Sequence, residues 1–165
     1  MVEFKRIGLV GRPGNRAVVD TLGRLLTYLQ SKDLSIVLEE VTGNLLPGHG
    51  QKQCPRHDLA KDCELVVVVG GDGSMLNVAK AIANEQVPVI GINRGRLGFL
   101  TDILPEKLEQ QLDDVLAGNY GLDSRFLLDV STINDKGPEQ IGCALNDVVL
   151  HPGSSAQMIE FELFV

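Results

Sequence analysis

The sequence has no tryptophan, and its aromatic residues make up only 4% of 165 positions. A stacking platform for single-stranded nucleic acid needs aromatic faces along a basic groove. Basic charge is also scarce: 15 Lys and Arg stand against 22 Asp and Glu, a net charge of −7. An acidic chain lacks the basic face that non-specific nucleic-acid or membrane-surface binding requires. Long apolar runs are missing, and none approaches the ~18 residues of a membrane span. The first residues, Met1-Val2-Glu3-Phe4-Lys5-Arg6, hold no apolar stretch of the signal-peptide kind. Cysteine is sparse: Cys54, Cys63 and Cys143 are odd in number and show no CxxC spacing, which fits reduced thiols in a cytoplasm. The expectation is a cytoplasmic protein with neither nucleic-acid nor membrane partners.

What is present is apolar and glycine-rich. Hydrophobic residues are 44% of the chain, and 18 residues are glycine, above the usual ~7%. This length buries a real core and corresponds to one domain, or one domain plus part of another. The first ninety or so residues alternate strand and helix signals. Arg6 to Val10 is a short apolar run; Val18, Leu22, Leu25, Leu26 and Leu29 then recur at helical spacing. Ser35 to Val41 reads as a second strand, and residues 42 to 57 read as irregular. Leu65 to Val69 is a leucine followed by four valines, the pattern of an interior parallel strand buried on both faces. Met75, Val78, Ala79, Ile82 and Ala83 form the next helical stripe, and Val87 to Ile92 another buried strand. This alternation predicts an α/β fold, an open and mostly parallel sheet with flanking helices.

Beyond Pro105 the texture changes. A helix carrying Leu108, Leu112, Val115 and Leu116 closes at Gly118-Asn119. Three strand-like runs follow: Phe126 to Ile133, Ile141 to Leu150 and Met158 to Val165, the first two separated by the turn cluster at residues 134 to 138. The predicted organisation is an α/β nucleotide-binding domain over residues 1–123 and the beginning of a β-rich domain over 124–165. Ile159, Phe161, Leu163 and Val165 alternate with Glu160 and Glu162 and stop without a polar tail. About forty residues do not bury both faces of a β domain alone, so the second domain is expected to be truncated.

The chemistry concentrates where the valine strand ends, at Gly70-Gly71-Asp72-Gly73-Ser74. Open α/β sheets bind ligands outside the carboxyl ends of their strands. Glycines let backbone approach phosphate oxygens, and the following helix N-terminus favours negative charge. No Lys-Ser or Lys-Thr follows, so this is not a Walker A loop; the last glycine of the dinucleotide fingerprint is also missing. Asp72 stands in the middle of the loop. A carboxylate beside a phosphate site is costly unless it holds Mg²⁺ or accepts the proton of an attacking hydroxyl. The competing reading is a plain helix N-cap. Arg94 and Arg96, in the loop after the next strand, can supply positive charge for a polyphosphate. Phe99 either packs on a base or nicotinamide or belongs to the core. Asn146 and Asp147 interrupt an apolar strand and would be buried at a cost unless paired, by a ligand's ribose or base edge; the alternative is a water-facing pair at a strand edge. His49, Cys54, His57 and Cys63 match no zinc-ligand spacing, and no metal-ligating residue is assigned.

Three stretches together resemble the bacterial NAD kinases: Gly70-Gly71-Asp72-Gly73-Ser74-Met75-Leu76, residues 91–102 from Gly91 to Asp102, and residues 144–153 from Ala144 to Gly153. The glycine-Asp loop alone is also similar to lipid kinases and phosphofructokinases; the other two stretches make the resemblance specific. It implies phosphoryl transfer from ATP, with a divalent cation such as Mg²⁺, to the 2′-hydroxyl of the adenosine ribose of NAD, giving NADP. It implies Asp72 as the catalytic carboxylate, and Gly73, Phe99, Asn146 and Asp147 as dinucleotide contacts. The family commonly carries Glu where Asp147 stands. Gln157 falls where relatives often carry a basic residue, and its amide brings no positive charge to a phosphate. The resemblance further implies NAD bound between two domains, and a homodimer or homotetramer. A lipid kinase of the same superfamily and a non-catalytic nucleotide-binding fragment are the competing expectations.

Overall fold

The computed structural model describes residues 4–95, 98–134, 137–151, 158, 160 and 162. It divides into two compact units, Met1–Arg125 and Phe126–Val165.

The first unit is an open parallel sheet. Its strands are β1 (Arg6–Gly11), β2 (Ser35–Glu39), β3 (Lys52–Cys54), β4 (Leu65–Gly70) and β5 (Val89–Asn93). They run in the spatial order β3-β2-β1-β4-β5, and every pairing is parallel. The valine strand β4 lies inside the sheet, between β1 and β5, and is buried along its whole length. An interior parallel strand is covered on both faces, which is why it tolerates an unbroken apolar run.

Among the described residues, five α-helices surround the sheet: α1 (Arg16–Gln30), α2 (Glu40–Asn44), α3 (Leu59–Asp62), α4 (Asp72–Ile82) and α5 (Leu108–Leu116). Asn15 caps α1, its side chain accepting the Ala17 N–H at 2.9 Å. One side of the sheet buries Ile7, Leu9, Val67 and Val69 against Leu22, Leu25 and Leu29 of α1 and Leu108 and Leu112 of α5. Burial of each such side chain contributes about 1.5–3 kcal/mol.

Several boundaries differ from the sequence expectation for physical reasons. β2 ends at Glu39 rather than Val41, because the Glu39 carboxylate accepts the Thr42 N–H at 2.9 Å and opens α2. Part of the stretch expected to be irregular pairs as β3 beside β2. β5 begins two residues later than expected, and its first residues are only half-buried, because it is the last strand of the described sheet.

The second unit contains an antiparallel pair, β6 (Leu128–Asn134) and β7 (Gly137–Ala144). The expected strand Ile141 to Leu150 is displaced: β7 begins earlier and stops at Ala144, where its partner strand begins at Leu128. Of the expected strand over Met158 to Val165, Met158, Glu160 and Glu162 are described, exposed and without strand pairing; its other residues, the interior of the turn at residues 135–136, and Gln157 lie outside the described residues.

Candidate active site

The sheet order creates the site. From β1 the chain moves outward to β2 and β3, then returns to the other side of β1 as β4. The carboxyl ends of β1 and β4 therefore border the point where strand order reverses, the usual ligand crevice of such sheets. A cleft of about 380 Å³ opens there, lined by Arg12, Asn15 and Arg16 after β1, Gly70 and Gly71 at the end of β4, and Arg94 after β5. Three guanidinium groups in an acidic protein give this edge a local positive character.

Asp72 is the first residue of α4, beside this cleft. It does not cap the helix: the N-cap position is Gly71, and no side chain caps it. The carboxylate instead accepts the Phe99 N–H at 2.8 Å and the Leu100 N–H at 3.1 Å. Gly98 makes this approach possible, since a Cβ there would lie 2.2 Å from Asp72 Oδ1. A carboxylate offers about four lone-pair directions, so two backbone donors leave capacity for a substrate hydroxyl. Gly70 has a comparable constraint: its Cβ would meet Ser74 Oγ at 2.4 Å, inside the tight strand-to-helix reversal. Gly73 is exposed on the first turn of α4.

Phe99 is 95% exposed, so the core reading of this residue is set aside. Arg94 donates its backbone N–H to the Gly70 carbonyl at 2.7 Å and its Nε to the Thr21 hydroxyl at 2.5 Å. Arg96 lies outside the described residues. No cluster of three or more His, Cys, Asp or Glu side chains suited to a metal ion occurs among the described residues. His49 is bonded locally, its Nδ1 accepting the Gln51 N–H at 2.9 Å.

Asn146 and Asp147 follow β7 in the second unit, and both are exposed. They are not polar residues inside a buried strand, as their apolar neighbours had suggested. The ladder ends at Ala144, and neighbouring Val148, Val149 and Leu150 are themselves exposed.

Sequence reasoning missed a buried polar network under the β1 turn. Glu39, 3% exposed, accepts the Thr42 hydroxyl at 2.8 Å and an Arg56 Nη2 hydrogen at 2.9 Å. Thr42 Oγ1 in turn accepts the Gly11 N–H at 2.8 Å, fixing the last residue of β1 where the cleft begins. It also missed Arg12 and Arg16. The readable signal was two arginines within five residues of the end of β1, the same edge that drew attention to Asp72 and Arg94.

A parallel α/β sheet with a glycine-Asp turn and an arginine-lined crevice at its switch point defines a ligand-binding domain of the doubly wound class. Residues 7–120 match the family model described as the ATP-NAD kinase N-terminal domain, and the chain belongs to that family. The chain is similar over its full length to the NAD kinase of Pseudomonas aeruginosa, at 52% identity across 165 residues. It is also 52% identical to that of Azotobacter vinelandii and 51% to that of Hahella chejuensis. The chain spans about half the length of these relatives, 56% in each case. Its fold is similar to a yeast NADH kinase crystallised with NADH, with a TM-score of 0.75, 18% identity, and coverage of 88% of this chain and 48% of that one.

Proposed function

We propose that this chain carries the catalytic carboxylate and phosphate-binding edge of an NAD kinase, which transfers the γ-phosphoryl group of ATP to the 2′-hydroxyl of the adenosine ribose of NAD. The observation that carries the reading is Asp72, a half-buried carboxylate held by two backbone N–H groups beside a cleft lined by three arginines. In this reading the cleft between β1 and β4 receives the phosphates of ATP, with Arg12, Arg16 and Arg94 neutralising their charge. Asp72 accepts the proton of the ribose hydroxyl as that oxygen attacks phosphorus, and the bond to the ADP oxygen breaks.

Gly73 and exposed Phe99 contact the dinucleotide, as do Asn146 and Asp147. Residues 1–123 supply the nucleotide-binding domain, and 124–165 begin a β-rich domain for NAD binding and for assembly into a homodimer or homotetramer. A divalent cation fits this donor set, because Mg²⁺ is commonly held by one or two carboxylates and substrate phosphates rather than by a protein cage. It would neutralise charge on the transferred group. No described helix is long and apolar enough to cross a membrane, which accords with a cytoplasmic enzyme.

The test is NADP formation from NAD, ATP and Mg²⁺ by the purified chain. The expected result is NADP phosphorylated at the adenosine 2′ position. NADP formation that survives Asp72→Asn would overturn the proposal.

A further inference from the structure

We propose that Thr21 is a positioning residue whose buried hydroxyl fixes the Arg94 guanidinium for a phosphate-bearing ligand in the cleft between β1 and β4. The inference rests on the reading of that cleft as a polyphosphate site.

Thr21 lies inside α1 and is 1% exposed, on the face that also buries Val18, Leu22 and Leu25. A polar side chain there needs a reason, because an aliphatic residue would fill the same space without burying an oxygen. The hydroxyl has one proton, and it donates that proton to the Ala17 carbonyl at 2.7 Å. Its remaining capacity is as an acceptor, and Arg94 Nε donates to it at 2.5 Å.

Arg94 is therefore held at two places. Its backbone N–H is tied to the end of β4 through the Gly70 carbonyl at 2.7 Å, and its side chain is tied to α1. These two elements border the cleft that Arg94 lines. The bond at Nε sets the plane of the guanidinium and leaves the Nη edge to meet an anion. An arginine loses considerable rotamer freedom when it binds, and fixing it beforehand leaves less to lose in the complex.

The test uses inorganic tripolyphosphate titrated into the 165-residue chain at constant low salt, by calorimetry. Wild type binds. Thr21→Val weakens binding by about five- to tenfold, on the scale of one ordinary hydrogen bond lost. Thr21→Ser keeps the hydroxyl and stays within about twofold of wild type. Arg94→Gln weakens binding by about tenfold or more. The decisive arm is the double variant: Thr21→Val adds nothing once Arg94 is gone, because it acts through that residue. Thr21→Ala serves in the same cycle where Thr21→Val does not fold.

Unchanged affinity in Thr21→Val would overturn the proposal. So would an equal loss in the wild-type and Arg94→Gln backgrounds, which is what a purely structural role produces. Wild type that fails to bind tripolyphosphate would overturn the reading of the cleft itself, separately from the role of Thr21.

Discussion

The two units solve the same problem, the disposal of apolar strand residues, with different results. In the first, Val66 to Val69 of β4 are fully buried, with helices and neighbouring strands closing over both faces. In the second, Ile133 and Ile141, in a two-stranded ladder, remain 73% and 63% exposed among the described residues. A strand's apolar pattern states what it is suited to pack against, and among the described residues only the first unit supplies that cover. A lone hairpin is marginal in water. The first unit is thus the part whose geometry is fixed by its own contacts, and it holds Asp72 and the cleft.

The contrast can be broken by equivalent truncations. Leu22→Ala, in the core of the first unit, should cost about 2–5 kcal/mol in urea unfolding. Ile141→Ala should change stability by less than about 0.5 kcal/mol. Equal costs would mean that the hairpin has cover in solution.

A smaller effect probes how the cleft is anchored. Thr42→Val strips the Gly11 N–H and the Glu39 carboxylate of a buried partner. It should cost about 1–3 kcal/mol and speed hydrogen exchange at Gly11. An unchanged exchange rate there would remove the network from the account of β1.

The smallest effect concerns the thiols. Burial pushes Cys63 up to about 12 from 9.0, and raises Cys54 as well. The folded state therefore holds these protons when the unfolded chain begins to lose them. The associated stability is complete below pH 9 and declines as pH rises from about 9 towards 12. Melting temperatures between pH 8 and 11 should show this fall, and Cys63→Ala should reduce it. At pH 8 a thiol reagent should modify half-buried Cys143 before Cys54 and Cys63.

The parallel sheet was legible because its strongest strand is four valines long and its helices carry apolar stripes at helical spacing. Asp72 was legible from position: a carboxylate among glycines at the end of a buried strand. Its partners were not, because the Phe99 and Leu100 N–H groups come from a loop 27 and 28 residues away. Pairing of that range depends on strand order, which composition and periodicity do not carry. The Glu39–Thr42–Gly11 network was hidden for the same reason, with Thr42 31 residues from Gly11. At Asn146 and Asp147 the strand was over-read. Their apolar neighbours continue a strand-like pattern beyond the point where β6 offers a partner.

The most direct test of the central claim compares wild type with Asp72→Asn, measuring NADP turnover and NAD dissociation constant on the same preparations. The account predicts that kcat falls by about a hundredfold or more, while NAD affinity stays within about threefold, because only the transition state needs the proton acceptor. Equal turnover in the two proteins, or parallel losses of rate and binding, would contradict the assignment of Asp72.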